Sequence, residues 1–202
     1  MRFAPMDSQT CSRPRMSREG WRARWFRMLL LASAALLLCM VTRAEGPVLM
    51  SFDVNRGDEG VLLSYAINIE LPRGADEALS KAVPLFFVAE AEVFRDRWYW
   101  RDKRVAEASR VWRIVFQPLT SNYRVTFGGL SQTYPSRAEA LAAISRNSDW
   151  RIAEPGQIED GRRHYVEFNF RLDTTLLPRP MQIGISGQPD WTLQIVRAQR
   201  FN

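Results

Sequence analysis

Beyond an N-terminal leader, the chain predicts a mainly β (β-rich α+β) domain. The expected form is a curved antiparallel sheet, sandwich-like or half-barrel, with two short helices. Three observations carry this prediction. Apolar residues recur at every second position in run after run. Clusters rich in Gly, Asp and Asn separate the runs at hairpin distances. Only two stretches change to helical spacing.

In chain order, "VLMSFDV" at 48–54 alternates with Val48, Met50, Phe52 and Val54 on one face. "NRGDEG" at 55–60 is a turn cluster, and 61–69 alternates again through Leu63, Tyr65, Ile67 and Ile69. "LPRGADEALSKAV" breaks the period. Ala75, Ala78, Leu79 and Ala82 lie at helical spacing, and Asp76 and Glu77 stand early, where a helix dipole favours acids. Residues 85–100 then read as one long strand. Leu85, Phe87, Ala89, Ala91 and Val93 share one face; Phe86, Val88, Glu90, Glu92 and Phe94 share the other. A polar break at 101–104 leads into a second long strand, 105–117, in which Trp112, Ile114 and Phe116 alternate with Val111, Arg113 and Val115. Two shorter strands flank Gly128-Gly129 within 122–134. "PSRAEALAAISRN" is the second helix: Ser136 and Glu139 form a capping box, and Ala140, Leu141 and Ile144 form its buried stripe. Residues 163–174 alternate through Val166, Phe168, Phe170 and Leu172, and 181–187 and 191–201 read as two closing strands. "LPRP" at 177–180 is excluded from a central strand by its prolines.

The net charge of +6 suggests a basic protein, but its location removes the implication. Residues 1–44 hold eight Arg and two acids. The remaining 20 Lys and Arg of the chain face 20 Asp and Glu, so 45–202 is electroneutral and lacks the footprint of a nucleic-acid binder. The leader has an uncharged apolar run, Met28 to Val41, behind Arg22, Arg24 and Arg27. As a helix it would rise about 21 Å, short of the roughly 30 Å hydrocarbon core. That is the form of a secretory signal peptide, with Thr42 and Ala44 at the expected cut, or of a retained N-terminal anchor. A start at Met16 gives a leader of ordinary proportions. The two cysteines, Cys11 and Cys39, both precede residue 45, so no disulfide, thiol nucleophile or thiolate metal site is expected in the domain.

Chemistry-bearing patterns are scarce. Glu90 and Glu92 point the same way, roughly 7 Å apart along a strand. Such a pair resembles the carboxylates of a glycosidase, but also a solvated face paired with Arg113 on the next strand. His164 stands alone in 45–202, without the partners of a metal site. There is no G-x-S-x-G, P-loop, dinucleotide fingerprint or H-E-x-x-H, so no enzyme activity, cofactor or metal is expected.

The conspicuous stretch is "RDRWYWRDKRV" at 95–105. As the end of a strand it would send Trp98 and Trp100 to one face and Tyr99 to the other. Three readings apply: rings buried in the core with arginines over them, an interaction surface, or a foot at a membrane interface.

The order and spacing of "LPRGADEALSKAVPLFF", "RDRWYWRDKRVA", "YRVTFGGLSQTY" and "LDTTLLPRPMQ", followed by Trp191, resemble the DUF4390 family of uncharacterised bacterial envelope proteins over about 48–200. The resemblance implies a secreted or membrane-anchored protein of a Gram-negative envelope, often encoded beside a nitrogen-regulation-type sensor histidine kinase. It implies no catalytic residue. The expectation is therefore a non-enzymatic periplasmic domain, free or tethered to the inner membrane by its N-terminal segment. It would bind an envelope protein, a sensor histidine kinase being the most concrete candidate, through Arg97, Trp98, Tyr99, Trp100 and Arg101. The alternative is a carrier of a small ligand or lipid, its cavity lined by Phe86, Phe168 and Phe170.

Overall fold

The computed structural model describes residues 47–97, 99, 101–159, 161–182, 185 and 188–201; the leader, Trp98 and Trp100 lie outside them. Strands β1 (Val48–Gly57), β2 (Gly60–Asn68) and β7 (Arg146–Ala153) form one antiparallel sheet in the order β1-β2-β7. A six-stranded antiparallel sheet runs β6-β5-β4-β3-β8-β9. Its members are β3 (Leu85–Arg95), β4 (Lys103–Gln117), β5 (Asn122–Phe127), β6 (Leu130–Tyr134), β8 (His164–Leu172) and β9 (Gln194–Phe201). The two sheets stack, with β1 near β9 and β7 near β4, and no ladder joins them. The fold is a β-sandwich rather than a half-barrel.

The core lies between the sheets. Leu63, Phe87, Ile114, Phe168 and Phe170 are fully buried, and rings cross the interface: Tyr65 to Phe168 at 4.7 Å and Phe52 to Phe168 at 5.4 Å between centroids. The alternation predicted for β2, β3 and β8 holds, each inward residue of these strands being buried.

Two bulges alter the expected pattern. The β1–β2 register slips between Leu49 and Ser51, which makes Met50 an extra residue. Leu49, Phe52 and Val54 therefore pack inward, while Val48 and Met50 are exposed; period two alone places Val48 and Met50 inside. The second bulge lies in β7, a strand the alternation misses. Ser64 of β2 stands opposite both Ser148 and Asp149, Asp149 takes a left-handed φ of 51°, and its N–H donates to Ser64 Oγ at 3.0 Å. The extra residue brings Asn147 and Trp150, three positions apart, toward the same guanidinium, that of Arg110.

Helix α1 (Arg73–Ser80) buries Ala75, Ala78 and Leu79. It stops before Ala82, which turns left-handed at φ 63° while Val83 N–H reaches back to the Ala78 carbonyl. Helix α2 (Arg137–Ser145) starts at the predicted cap: Ser136 Oγ accepts from Glu139 N–H at 3.2 Å and donates to Glu139 Oε1 at 2.8 Å. The strand expected at 181–187 is not formed at its start, because Arg179–Gln182 make a single helical turn, α3; residues 183, 184, 186 and 187 lie outside the described residues.

Candidate functional site

Strand β3 ends at Arg95, opposite Lys103 of β4, so residues 96–102 form the connection between them. This corrects the expectation that 85–100 is one strand with its charged break at 101–104. The ladder stops three residues before Trp98, and Lys103 and Arg104 belong to β4.

The connection is held at several points. Asp96 N–H donates to the Arg163 carbonyl at 3.0 Å, in the loop before β8. Arg97 N–H donates to Asp102 Oδ1 at 3.0 Å, which closes the loop on itself. The other oxygen of Asp102 accepts from the Tyr165 hydroxyl at 2.8 Å. Tyr165 stacks on Phe94, with centroids 5.3 Å apart and planes 17° from parallel, so the anchor is itself fixed on β8. Arg95 forms an ion pair with Glu159. The Arg97 amide and then the Tyr165 hydroxyl hold the Asp102 carboxyl below its usual range, whereas burial, reinforced by Asp102, pushes the Tyr165 phenol up to about 12.

Outside these anchors the connection meets solvent. Tyr99 is 69% exposed, which rules out the core reading for this ring, and Arg97 and Arg101 are exposed on either side of it. The expected placement of Trp98 and Trp100 lies outside the described residues. Beside the connection, a depression of about 410 Å³ is lined by Asp96, Asp102, Tyr165, Glu167, Gln199 and Arg200. Tyr165 and Arg200 are direct neighbours across β8 and β9. Sequence reasoning missed both; the alternation of "RHYVEFNF" shows Tyr165 on the outer face but not that it reaches the loop.

The other predicted residues do not assemble into a site. Phe168 and Phe170 are fully buried against Tyr65 and Phe87. Phe86 lies on the opposite face of the sheet, across from Arg113. The three cannot line one cavity, because successive side chains of a strand leave on opposite sides. Glu90 and Glu92 do share the outer face, but neither pairs with Arg113. Glu90 takes both ends of the Arg171 guanidinium, one at 2.8 Å, and Glu92 pairs with Arg104. Arg171 holds the Glu90 carboxyl below its ordinary range, the opposite of what a general acid needs. His164 is inward and 2% exposed. Its ring lies 6.0 Å from Phe201, Nδ1 meets the Arg162 carbonyl at 3.0 Å, and Nε2 has no partner; burial lowers its basicity. Among the described residues no three His, Cys, Asp or Glu converge as a metal site would require. A groove of about 670 Å³ beside α2 is lined by Met50, Ile67, Ile69, Leu71 and Leu141, with the Asp76–Arg137 ion pair among its walls. No pattern in the sequence announces it.

Residues 44–202 match the model of a family described as a domain of unknown function, DUF4390, and the chain belongs to that family. No curated protein and no solved structure matches the chain.

Proposed function

We propose that the chain is a non-enzymatic domain of the bacterial envelope, secreted or membrane-tethered, that binds a protein partner through the β3–β4 connection. A sensor histidine kinase of the inner membrane is the concrete candidate, suggested by the gene neighbourhood that the family resemblance implies. The observation that carries the reading is the anchored connection. Asp102 fixes the loop through two hydrogen bonds while Tyr99, Arg97 and Arg101 stay exposed. Tyr, Trp and Arg dominate binding hot spots, and a loop ordered before binding loses less entropy on association. The leader supports export, and the absence of catalytic motifs from the sequence favours binding over chemistry. The carrier alternative has less support, since the rings expected to line its cavity are packed or on opposite faces.

The test is co-purification from the native host in mild detergent, using a C-terminally tagged chain beside its Trp98→Ala/Trp100→Ala variant. The reading expects an envelope protein that is captured by the first and lost with a variant that still melts cooperatively. Failure of both to capture an envelope protein overturns it.

A further inference from the structure

We infer that the surface around the β3–β4 connection is built for an acidic protein segment, one whose Asp or Glu side chains enter a cluster of five arginines. The inference rests on the proposed reading and names the chemistry of the partner.

Three segments supply the cluster. Arg97 and Arg101 lie on the connection, Arg162 and Arg163 on the loop before β8, and Arg200 near the end of β9. The fold holds these segments together: Asp96 N–H bonds to the Arg163 carbonyl, Tyr165 bonds to Asp102, and Arg200 pairs with Tyr165 across the ladder. All five arginines are exposed, and none forms an ion pair with a described acid.

Two of the described local acids are committed. Asp102 uses one oxygen on the Arg97 amide and the other on Tyr165, with its charge acting more weakly on Arg200 and Arg97, and Glu159 is paired with Arg95. Asp96 and Glu167 remain on the wall of the depression. Residues 45–202 balance 20 cations against 20 anions, so five guanidiniums without an ion pair to a described acid concentrate positive charge at this end of the domain. Arginine binds carboxylates bidentately, and exposed charge of one sign steers association of the other. A protein segment fits better than an anionic bilayer. A continuous negative plane would meet Asp96, Asp102 and Glu167 together with the arginines, whereas discrete carboxylates need meet only the guanidiniums.

The experiment uses the full-length chain in mild detergent and measures anisotropy of a fluorescein-labelled alternating Glu-Ser peptide. An alternating Gln-Ser peptide and phosphatidylglycerol vesicles serve as the other probes. Saturable binding of the Glu-Ser peptide is expected, weakening as ionic strength rises to the physiological range. Arg97→Gln/Arg200→Gln is expected to weaken it about tenfold with an unchanged melt. Arg124→Gln, toward the opposite end of the sheet, should leave it unaltered. Equal binding of the Gln-Ser peptide, indifference to the arginine variant, or binding to vesicles alone overturns the inference. If the acidic peptide fails while the host partner is still captured through Trp98 and Trp100, the inference falls and the proposed function stands.

Discussion

The Tyr165 hydroxyl donates to Asp102 at 2.8 Å, across 63 residues of sequence, and so joins the β3–β4 connection to the neighbouring strand. The phenol's ring rests on Phe94, and the carboxylate's second oxygen closes the loop through Arg97. This bond ties the turn that Asp102 closes to a fixed platform on β8, beside the anchors at Asp96 and Arg95.

Replacing Tyr165 by Phe should leave the global melt nearly unchanged and release the connection. Faster amide exchange at Arg97 is the measurement. The pH dependence has two limbs. A phenol whose folded pKa is raised to about 12 stabilises below its ordinary value of about 10 and loses that contribution as pH rises through 12. Alkaline absorbance titration should show this tyrosine late, together with the buried Tyr65, and Tyr165→Phe should remove one of the two late phenols. Asp102 has the opposite sign. Its folded pKa is lowered, so its contribution is present above the ordinary carboxylate value and disappears as pH falls through the depressed one. Loop order should therefore fade in acid, read from the Arg97 amide shift.

Glu90→Gln should cost about 1 kcal/mol at neutral pH, because it removes a charged fork from Arg171 on a face that solvent still screens. The lowered Glu90 pKa gives the sign: the cost should shrink as pH falls through the depressed value, and urea melts of the variant and the parent should converge in acid. Partner capture should be unaffected. A variant that loses capture but not stability would move the functional site onto this face.

Much of the fold is legible from alternation because each sheet turns one face to the core, Val88 on the other face of β3 being a buried exception. Leu85 to Val93 of β3 and Val166 to Leu172 of β8 need no other information. Alternation fails where one residue is inserted. Met50 shifts the phase of β1, and the bulge at Asp149 hides β7 by turning Asn147 and Trp150 the same way. The site is less legible. "RDRWYWRDKRV" identifies the stretch, but the anchor that orders it, Tyr165, comes from a distant strand. Composition gave no reason to separate Phe86 from Phe168; only the strand register does that.

The bulge supports its own prediction. Arg110 lies 5.1 Å from the Trp150 ring and 5.4 Å from Phe127, and donates to Asn147 Oδ1 at 2.9 Å. Beside it, the Tyr65 hydroxyl and Asn147 Nδ2 are buried without a well-formed hydrogen bond, and the Asn147 side chain offsets only part of what burial costs the phenol. A buried hydroxyl with so weak a partner carries a desolvation cost, so Tyr65→Phe should stabilise the domain by about 1 kcal/mol. Arg110→Ala should destabilise it by about 2 kcal/mol through loss of both ring contacts and the amide's partner. Urea denaturation of the pair decides. A destabilised Tyr65→Phe would mean that the contact with Asn147 outweighs the cost of burying the hydroxyl.

Two left-handed positions give the sharpest contrast. Gly60 has φ 102°, and a Cβ there would lie 2.1 Å from the Ala153 carbonyl oxygen, in the adjoining strand. Backbone on both sides cannot yield as a side chain would, so Gly60→Ala should cost about 3 kcal/mol or more and should separate the β1–β2 turn from the end of β7. Ala82 has the reverse problem. It holds φ 63° beyond α1, with its N–H on the Leu79 carbonyl and the Val83 N–H on Ala78, a helix ending that glycine adopts without strain. Ala82→Gly should stabilise by about 0.5–1 kcal/mol, the relief at φ > 0 outweighing the extra freedom of the unfolded chain. Thermal melts of the two variants should move in opposite directions from the parent. Destabilisation of Ala82→Gly would show that the methyl's packing, rather than the helix ending, sets the choice of residue there.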